Sequence, residues 1–251
     1  MPENDPEIAL RVTNVSLSFG GINVLKSVSF CVKRGEFAVL MGPNGCGKTT
    51  LLRVVAGVQA QGGGDVAIAP AGGSRSRRDL AMVFQKPLLL PWLSVEDNIR
   101  LPLAVNRSAG TPDELSDLLK LAGLEDRRKS TPDQLSGGER QKVAILRALV
   151  QDPSVLVLDE PFSALDPVAH THLQDYLLSI WALRKMTIVF VTHDIEEAAY
   201  LGDRVLVLTR KPSVVKDDIT IGLPRPRPHA DDPGREAIVL GLRRALVGVK
   251  S

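Results

Sequence analysis

Charge excess is nearly absent from this chain of 251 residues: 31 lysines and arginines stand against 29 aspartates and glutamates, a formal net charge of +2. No broad basic field exists to hold a nucleic-acid backbone, so nucleic acid is not an expected partner, while one local nucleotide site stays open. Long apolar runs are missing too, and none approaches the length of a membrane span. The opening stretch, MPENDPEIALR, is acidic and has no apolar centre, which predicts the absence of a signal peptide. Cysteine is confined to Cys31, in an apolar strand pattern, and Cys46, inside a glycine-rich loop. Two thiols so placed suit a reducing compartment and predict no structural disulfide. No internal repeat is visible. Together these absences predict a chain made and kept in the cytosol. The remaining composition, 44% hydrophobic and 24% charged, is that of a globular protein long enough to bury a full core.

What the sequence does have is alternation. LRVTNVSLSF and VLKSVSFCV read as strands. GEFAVLMG is a short buried strand running straight into a glycine loop, and KTTLLRVVAGV is the helix beyond it. Residues 57–78, rich in Gly and Ala and then basic, read as a mobile surface hairpin or loop. LAMVFQ is a strand ending at Gln85. Over 86–150 the character changes: Pro87, Pro91, Pro102, Pro112 and Pro132 punctuate helical periodicity, which predicts a helical insert. Dense aliphatic runs return in SVLVLDEP, MTIVFVTH and DRVLVLT, the pattern of strands buried in a parallel sheet. An α/β layered core with a helical arm follows. The expected organisation is a core from 8–85 and 151–215, a helical insert over 86–150, and a proline-stiffened linker with a C-terminal amphipathic helix over 216–251.

The chemistry starts at residues 42–49. GPNGCGKT fits G-x-x-x-x-G-K-[ST], with Gly42, Gly47, Lys48 and Thr49 at the fixed positions. The glycines let backbone N–H groups wrap phosphate oxygens, Lys48 reaches the β- and γ-phosphates, and Thr49 offers a hydroxyl to Mg²⁺. In VLVLDE a buried strand drives Asp159 to its carboxyl edge. If the two strands are neighbours, it lies beside the loop and can hold Mg²⁺ through water. Glu160 can orient or deprotonate an attacking water; the plainer reading is a solvated acidic turn before Pro161. His193 ends TIVFVTH on the edge where open α/β sheets bind ligands. His170 and His172 lie two apart on an expected helix, face different ways and are rejected as a metal pair. LSGGERQKVAILRAL, residues 135–149, places a serine and two glycines ahead of a helix, a second start with amides free for an anion. Alone, it could be no more than a capped helix with a glycine turn.

Taken in order, Phe19, the phosphate loop, Gln85, LSGGE, VLVLDE, SALD and His193 resemble the ATP-binding subunit of an ABC transporter, over residues 8–225. The resemblance implies a P-loop NTPase fold of the RecA-like kind: a mixed, mainly parallel sheet, an antiparallel β subdomain and an inserted helical subdomain. It implies ATP and Mg²⁺ as cofactors. Phe19 would stack on adenine, and Gly42, Pro43, Asn44, Gly45, Cys46, Gly47, Lys48, Thr49 and Thr50 would cradle the phosphates. Gln85 would serve both metal and catalysis, Asp159 the metal, Glu160 and His193 the hydrolysis, and Asp166 the D-loop beside the nucleotide. In this family two subunits close head to tail over two nucleotides. Ser136, Gly137 and Gly138 would then serve the partner's γ-phosphate, which gives the second anion site a purpose. Residue 139 is Glu where Gln is commoner, a variation that the family also contains.

The stretch KPLLLPWLSVEDNI, residues 86–99, narrows the resemblance. Trp92 could be ordinary packing in the helical arm, but in this family the region receives a helix of the membrane subunit, for which an exposed aromatic patch is suited. LLPWLSVEDNI and LPRPRP (223–228) resemble the importer branch for nitrate, sulfonates, taurine and similar small anions, and no long C-terminal domain of the sugar-importer type follows. The implied partners are a second copy of the chain, permease subunits docking near Gln85–Asn98 and, indirectly, a solute-binding protein. The implied location is peripheral, on the cytoplasmic face of the inner (plasma) membrane. A chromosome-organising relative would need a long coiled-coil insertion, a ribosome-associated one two cassettes, and a soluble P-loop kinase no signature.

Overall fold

The computed structural model describes residues 7–69, 79–106, 112–163, 165–229 and 232–249. Strands β1 (Ile8–Phe19) and β2 (Ile22–Lys33) form a hairpin, followed by β3 (Phe37–Met41), the glycine loop and helix α1 (Lys48–Val55). Strands β4 (Gly63–Ile68) and β5 (Leu80–Val83) precede the helical arm of α2 (Val95–Val105), α3 (Pro112–Ala122) and α4 (Gly137–Leu149). The chain returns through β6 (Val155–Asp159), α5 (Pro167–Arg184), β7 (Thr187–Val191), α6 (Ile195–Leu201), β8 (Arg204–Leu208), β9 (Val215–Thr220) and α7 (Pro233–Val247). Two sheets result: an antiparallel one of order β2-β1-β4, and a six-stranded one of order β5-β6-β7-β3-β8-β9. All neighbours in the larger sheet are parallel except the edge pair β8–β9.

Strict alternation along the parallel strands divides the core in two. Phe37, Val39, Met41, Leu156, Leu158, Ile188 and Phe190 point to one face, into a cluster shared with the helical arm and α5–α7. Ala38, Leu40, Val155, Val157, Val189 and Val191 point to the other, against β1, β2 and α1. Strands β3, β6 and β7 are therefore buried along their whole length. Their side chains are aliphatic on both faces because neither face meets water. In the arm, Glu96 of α2 takes a bidentate bond from Arg128 (2.7 and 2.9 Å), and this pairing holds its carboxyl down at about 2.

Three expectations are corrected. Residues 63–68, expected as part of a surface loop or hairpin, are a strand paired with β1 from Leu10↔Ile68 to Ser16↔Gly63. The glycines that suggested a loop serve that pairing: Gly64 has φ +84°, and a Cβ there would lie 2.4 Å from the backbone of Asn14. The rest of that stretch, 70–78, lies outside the described residues. Residues 216–220, expected as linker, belong to β9, whose alternation is masked by Asp217 and Asp218. Such charges suit an edge strand, where they discourage pairing with another chain, and Asp218 also pairs with Arg204.

The third correction concerns 223–228, which is packed rather than a free spacer. Arg227 is 4% exposed. Its guanidinium donates to the carbonyls of Ala199, Tyr200 and Gly202 (3.0, 3.0 and 2.6 Å), closing the C-terminal end of α6 where the helix leaves carbonyls unpaired and partially negative. Burial lowers its pKa to about 10, so it stays charged at neutral pH. Arg225 bonds Asp203 and the Leu201 carbonyl while lying over the Trp181 ring at 4.3 Å. The segment bends at Arg225 and Pro226, and both arginines reach this helix end. Arg227→Ala should therefore lower stability by about 3 kcal/mol, because several buried carbonyls lose their donor. Urea unfolding with an unchanged m-value is the measurement. A loss under about 0.5 kcal/mol, the level of an ordinary surface substitution, would mean that the segment is a loose linker after all.

Candidate functional site

The loop after β3 is shaped by its two fixed glycines. A Cβ on Gly42 would lie 2.9 Å from the Leu208 carbonyl oxygen, and Gly47 has φ +117° with Val24 3.0 Å from where a Cβ would stand. Neither place accepts a side chain. Lys48 is 5% exposed and donates to the carbonyls of Gly42 (3.0 Å) and Pro43 (3.3 Å), so its ammonium is held inside the ring that the loop makes. Cys46 is buried with its thiol pushed up by desolvation, and its carbonyl accepts from Ser213. Neither Cys46 nor Cys31 forms a disulfide.

Asp159 ends β6, but β6 is not beside β3: β7 lies between them. The condition that these strands be neighbours is therefore not met, yet the groups meet. The loop turns back far enough for the Thr49 hydroxyl to donate to Asp159 Oδ1 at 3.0 Å. Asp159 is 4% exposed, and burial raises its carboxyl pKa. The Thr49 hydrogen bond opposes that rise, and the neighbouring Glu160 adds to it. A buried carboxylate beside a hydroxyl and a second carboxylate, with phosphates to come, is the kind of oxygen set that a Mg²⁺ ion takes.

Glu160 has φ +44°, in the left-handed region, while its N–H donates to the Val191 carbonyl at 3.0 Å. A non-glycine residue held there costs about 1–3 kcal/mol, a strain that concentrates at functional sites. The result is a carboxylate turned toward β7. His193, two residues past β7, places Nδ1 3.1 Å from Glu160 Oε2. Asn44, Gly45, Gly47, Lys48, Thr49, Thr50, Glu160, His193 and Lys211 together line a cavity of about 370 Å³. Gln85, just beyond β5, donates to the Ser163 hydroxyl at 3.1 Å. Lys211 and Ser163 were not singled out from the sequence: one follows a strand in an unremarkable RKP turn, and the other acts only through a partner 78 positions away.

Other expected site residues stand apart from this cavity. Phe19, at the end of β1, is 47% exposed. Asp166 caps α5, accepting from Val168 and Ala169 N–H (3.1 and 2.9 Å). Ser136 caps α4: its Oγ accepts from the Glu139 N–H (3.2 Å) while its own N–H donates to Glu139 Oε2 (2.7 Å). This capping box leaves the Ser136 hydroxyl hydrogen and the first-turn amides of Gly137 and Gly138 for an anion. That same Ser136 N–H, with Arg127 nearby, holds the Glu139 carboxyl below its usual range. Gly138 is also tightly placed inside the chain, since a Cβ there would lie 3.3 Å from Ala169 Cβ. Among the described residues, none of Ser136–Gly138 lines the phosphate cavity of its own chain.

The loop after Gln85 is stiff and apolar. Asn98, fully buried, accepts from Leu90 N–H (2.8 Å) and donates to the carbonyls of Leu90, Leu93 and Ser94 (3.1, 3.1 and 3.0 Å). Arg147 holds the carbonyls of Leu88 (2.8 Å) and Pro87 (2.7 Å). The loop so pinned presents Trp92, 73% exposed, and Leu88, 57% exposed.

The sequence model of the ABC transporter family matches residues 25–163. The aliphatic sulfonates import ATP-binding protein SsuB of Bacillus cereus (strain ATCC 10987 / NRS 248) is 39% identical over 215 residues, covering 86% of this chain and 85% of the relative. The protein of the same name from Bacillus licheniformis is 40% identical over 224 residues, covering 88% and 87%. Among solved structures, the ATP-binding cassette MJ0796 in a dimeric post-hydrolysis state bound to ADP and Pi superposes with a TM-score of 0.72 at 32% identity, covering 84% of this chain and 98% of the cassette. CbiO1 of Clostridium perfringens, part of the transporter complex cbiONQ, gives 0.73 at 30% identity, covering 85% and 89%. With its motifs in this order, its fold that of the solved cassettes and its similarity running over most of its length, the chain belongs to the ABC transporter family, as an ATP-binding and ATP-hydrolysing subunit.

Proposed function

We propose that this subunit energises the import of an aliphatic sulfonate or a similar small anion. Support for the solute comes from the relatives named for aliphatic sulfonate import; support for the mechanism comes from the Glu160–His193 contact over a preformed phosphate loop. In this reading the phosphates of ATP lie on the amides of Gly42–Thr50 with Lys48 against the β- and γ-phosphates. Thr49 and Asp159, with Gln85 approaching from β5, would hold Mg²⁺, which neutralises charge developing on the phosphates. Phe19, exposed at the end of β1, receives the adenine face. Glu160 orients and deprotonates the attacking water, His193 steadies that carboxylate, and Asp166 lies beside the nucleotide. Ser136, Gly137 and Gly138 close on the nucleotide of a second copy, because a helix start with free amides attracts an anion and these residues are not among those lining the cavity of their own loop.

No described helix is long and apolar enough to cross a membrane. Contact with the membrane then falls to a permease on whose cytoplasmic face the subunit sits, with a solute-binding protein acting beyond it. Trp92 and Leu88 are the docking anchors, since an aromatic held out from a rigid loop binds with little ordering cost.

Two variants and one uptake assay test this reading. Glu160→Gln should keep ATP affinity while hydrolysis falls by roughly 10²–10⁴-fold, and ATP-bound dimers should accumulate in size-exclusion chromatography. In vesicles carrying the permease, the same variant should stop ATP-dependent uptake of an alkanesulfonate that the unaltered subunit supports. Near-normal turnover would remove Glu160 from the chemistry, and an unaltered subunit that drives no alkanesulfonate uptake would remove the solute. Trp92→Ala should leave the thermal midpoint and the ATPase of the isolated subunit unchanged while weakening assembly with the permease by ~2 kcal/mol, about 30-fold. Unchanged assembly would place the docking surface elsewhere.

A further inference from the structure

Glu160 and His193 are held by two separate segments, and those segments are joined a second time behind the reacting edge. The first runs from Glu160 through Phe162 into α5. The second runs from His193 through the Asp194 cap into α6, where Asp194 accepts from Glu196 N–H at 2.8 Å. At the back, His170 of α5 places Nε2 2.5 Å from Glu197 Oε1 of α6. The four residues close a ring: Glu160 touches His193 at the front, and His170 touches Glu197 at the rear.

The rear of the ring is packed, while its front opens on the cavity. Phe162 lies edge-on to the His170 imidazole, with centroids 5.5 Å apart at 79°, and its ring also meets that of Phe190 of β7 at 5.3 Å. Glu197 is 6% exposed, Thr192 2% and Phe162 2%. Glu197 also takes a hydrogen bond from the Thr192 side chain, and Thr192 Oγ1 in turn accepts from Asp194 N–H at 2.9 Å. The buried carboxylate thus has donors from both segments, one from α5 and one from the residue just before His193. Losing the α5 donor would leave it tied to the histidine segment alone. Further along, Tyr200 Oη donates to Asp175 at 2.5 Å, a second tie between α5 and α6 that lies farther from the reacting edge. Of these two ties, His170–Glu197 is the nearer along both segments to Glu160 and His193.

We propose that His170 is a positioning residue for ATP hydrolysis: through Glu197 it holds the His193 segment in register with Glu160. This rests on the reading that Glu160 and His193 act on the attacking water. Small misplacements of such a pair are expensive, because the reaction needs its groups aligned, whereas ATP binding uses the phosphate loop and is not routed through the ring. Turnover and nucleotide affinity should therefore separate.

The test compares His170→Gln with His170→Leu in the full-length chain. A glutamine amide can donate from nearly the same place as Nε2, while leucine fills space and donates nothing. His170→Leu should lower kcat by ~10-fold, with KM for ATP and the ATP dissociation constant within about twofold of wild type, since neither depends on the ring. His170→Gln should recover at least half of the lost rate at a similar thermal midpoint. Should the leucine variant not fold, His170→Asn, polar but too short to reach Glu197, replaces it. Wild-type kcat in His170→Leu, or equal losses in the donating and non-donating variants, would overturn the proposal. Glu160→Gln assayed alongside separates the two failures. If it still turns over, the reacting pair was misread; if it is dead while His170→Leu is normal, only the positioning role falls.

Discussion

A hydroxyl and a carboxylate that meet across an intervening strand organise this molecule. Thr49 follows the loop after β3 and Asp159 ends β6, and the 3.0 Å bond between them spans the end of β7. Holding that contact requires three parallel strands in fixed register, each buried on both faces, and so requires the two-sided core that the alternating side chains build. It also explains the place of His193. The strand between the two motifs ends under the gap they leave, so a residue just past its end stands against Glu160. Ligand chemistry at the carboxyl edge of an open sheet is a general property of α/β folds; here the order of strands distributes the separate groups around one cavity.

The proposal that the signature turn serves another subunit rests partly on what the turn does in its own. Ser136 and Glu139 form a closed capping box, and Gly138 packs against Ala169, so the turn is rigid before any nucleotide arrives. Glu139 differs from the commoner glutamine by a negative charge next to an expected anion. Its carboxylate is already engaged by the Ser136 N–H and lies 3.4 Å from Arg127 Nε, which reduces the charge that a phosphate would meet. The capped-helix and phosphate-site readings of this stretch are therefore compatible: the cap fixes the turn through Ser136 and Glu139 and does not use the amides of Gly137 and Gly138.

Contiguous motifs were legible in the sequence, and long-range pairings were not. GPNGCGKT and VLVLDE each gather their candidate groups within a few residues, so a site could be proposed from them without the fold, whereas LSGGE took its expected purpose from the family resemblance; the aliphatic runs announced the buried strands. Strand β4 was hidden by three consecutive glycines whose purpose is to let it cross β1, and β9 by aspartates whose purpose is to keep an edge solvated. The arginines of LPRPRP looked like a soft family mark until α6 supplied the carbonyls they cap. Trp92 could be read as anchor or as packing; it is exposed, on a loop that Asn98 ties from within by four bonds to Leu90, Leu93 and Ser94. His170 was read only as half of a metal pair and set aside on spacing; its partner Glu197 lies on another helix, and no local pattern points to it.

The central claim is that one chain binds ATP with its phosphate loop and offers its signature turn to someone else's. Nucleotide affinity of the dilute monomer tests this most directly, with Lys48→Ala and Ser136→Arg measured side by side. Lys48→Ala removes a charge from the chain's own nucleotide and should weaken monomer binding sharply. Ser136→Arg should leave monomer affinity close to wild type while abolishing ATP-driven dimerisation and hydrolysis, because the new side chain fills the place of the partner's γ-phosphate. A Ser136→Arg monomer that loses affinity as severely as Lys48→Ala would contradict the account, for the signature would then be serving its own chain.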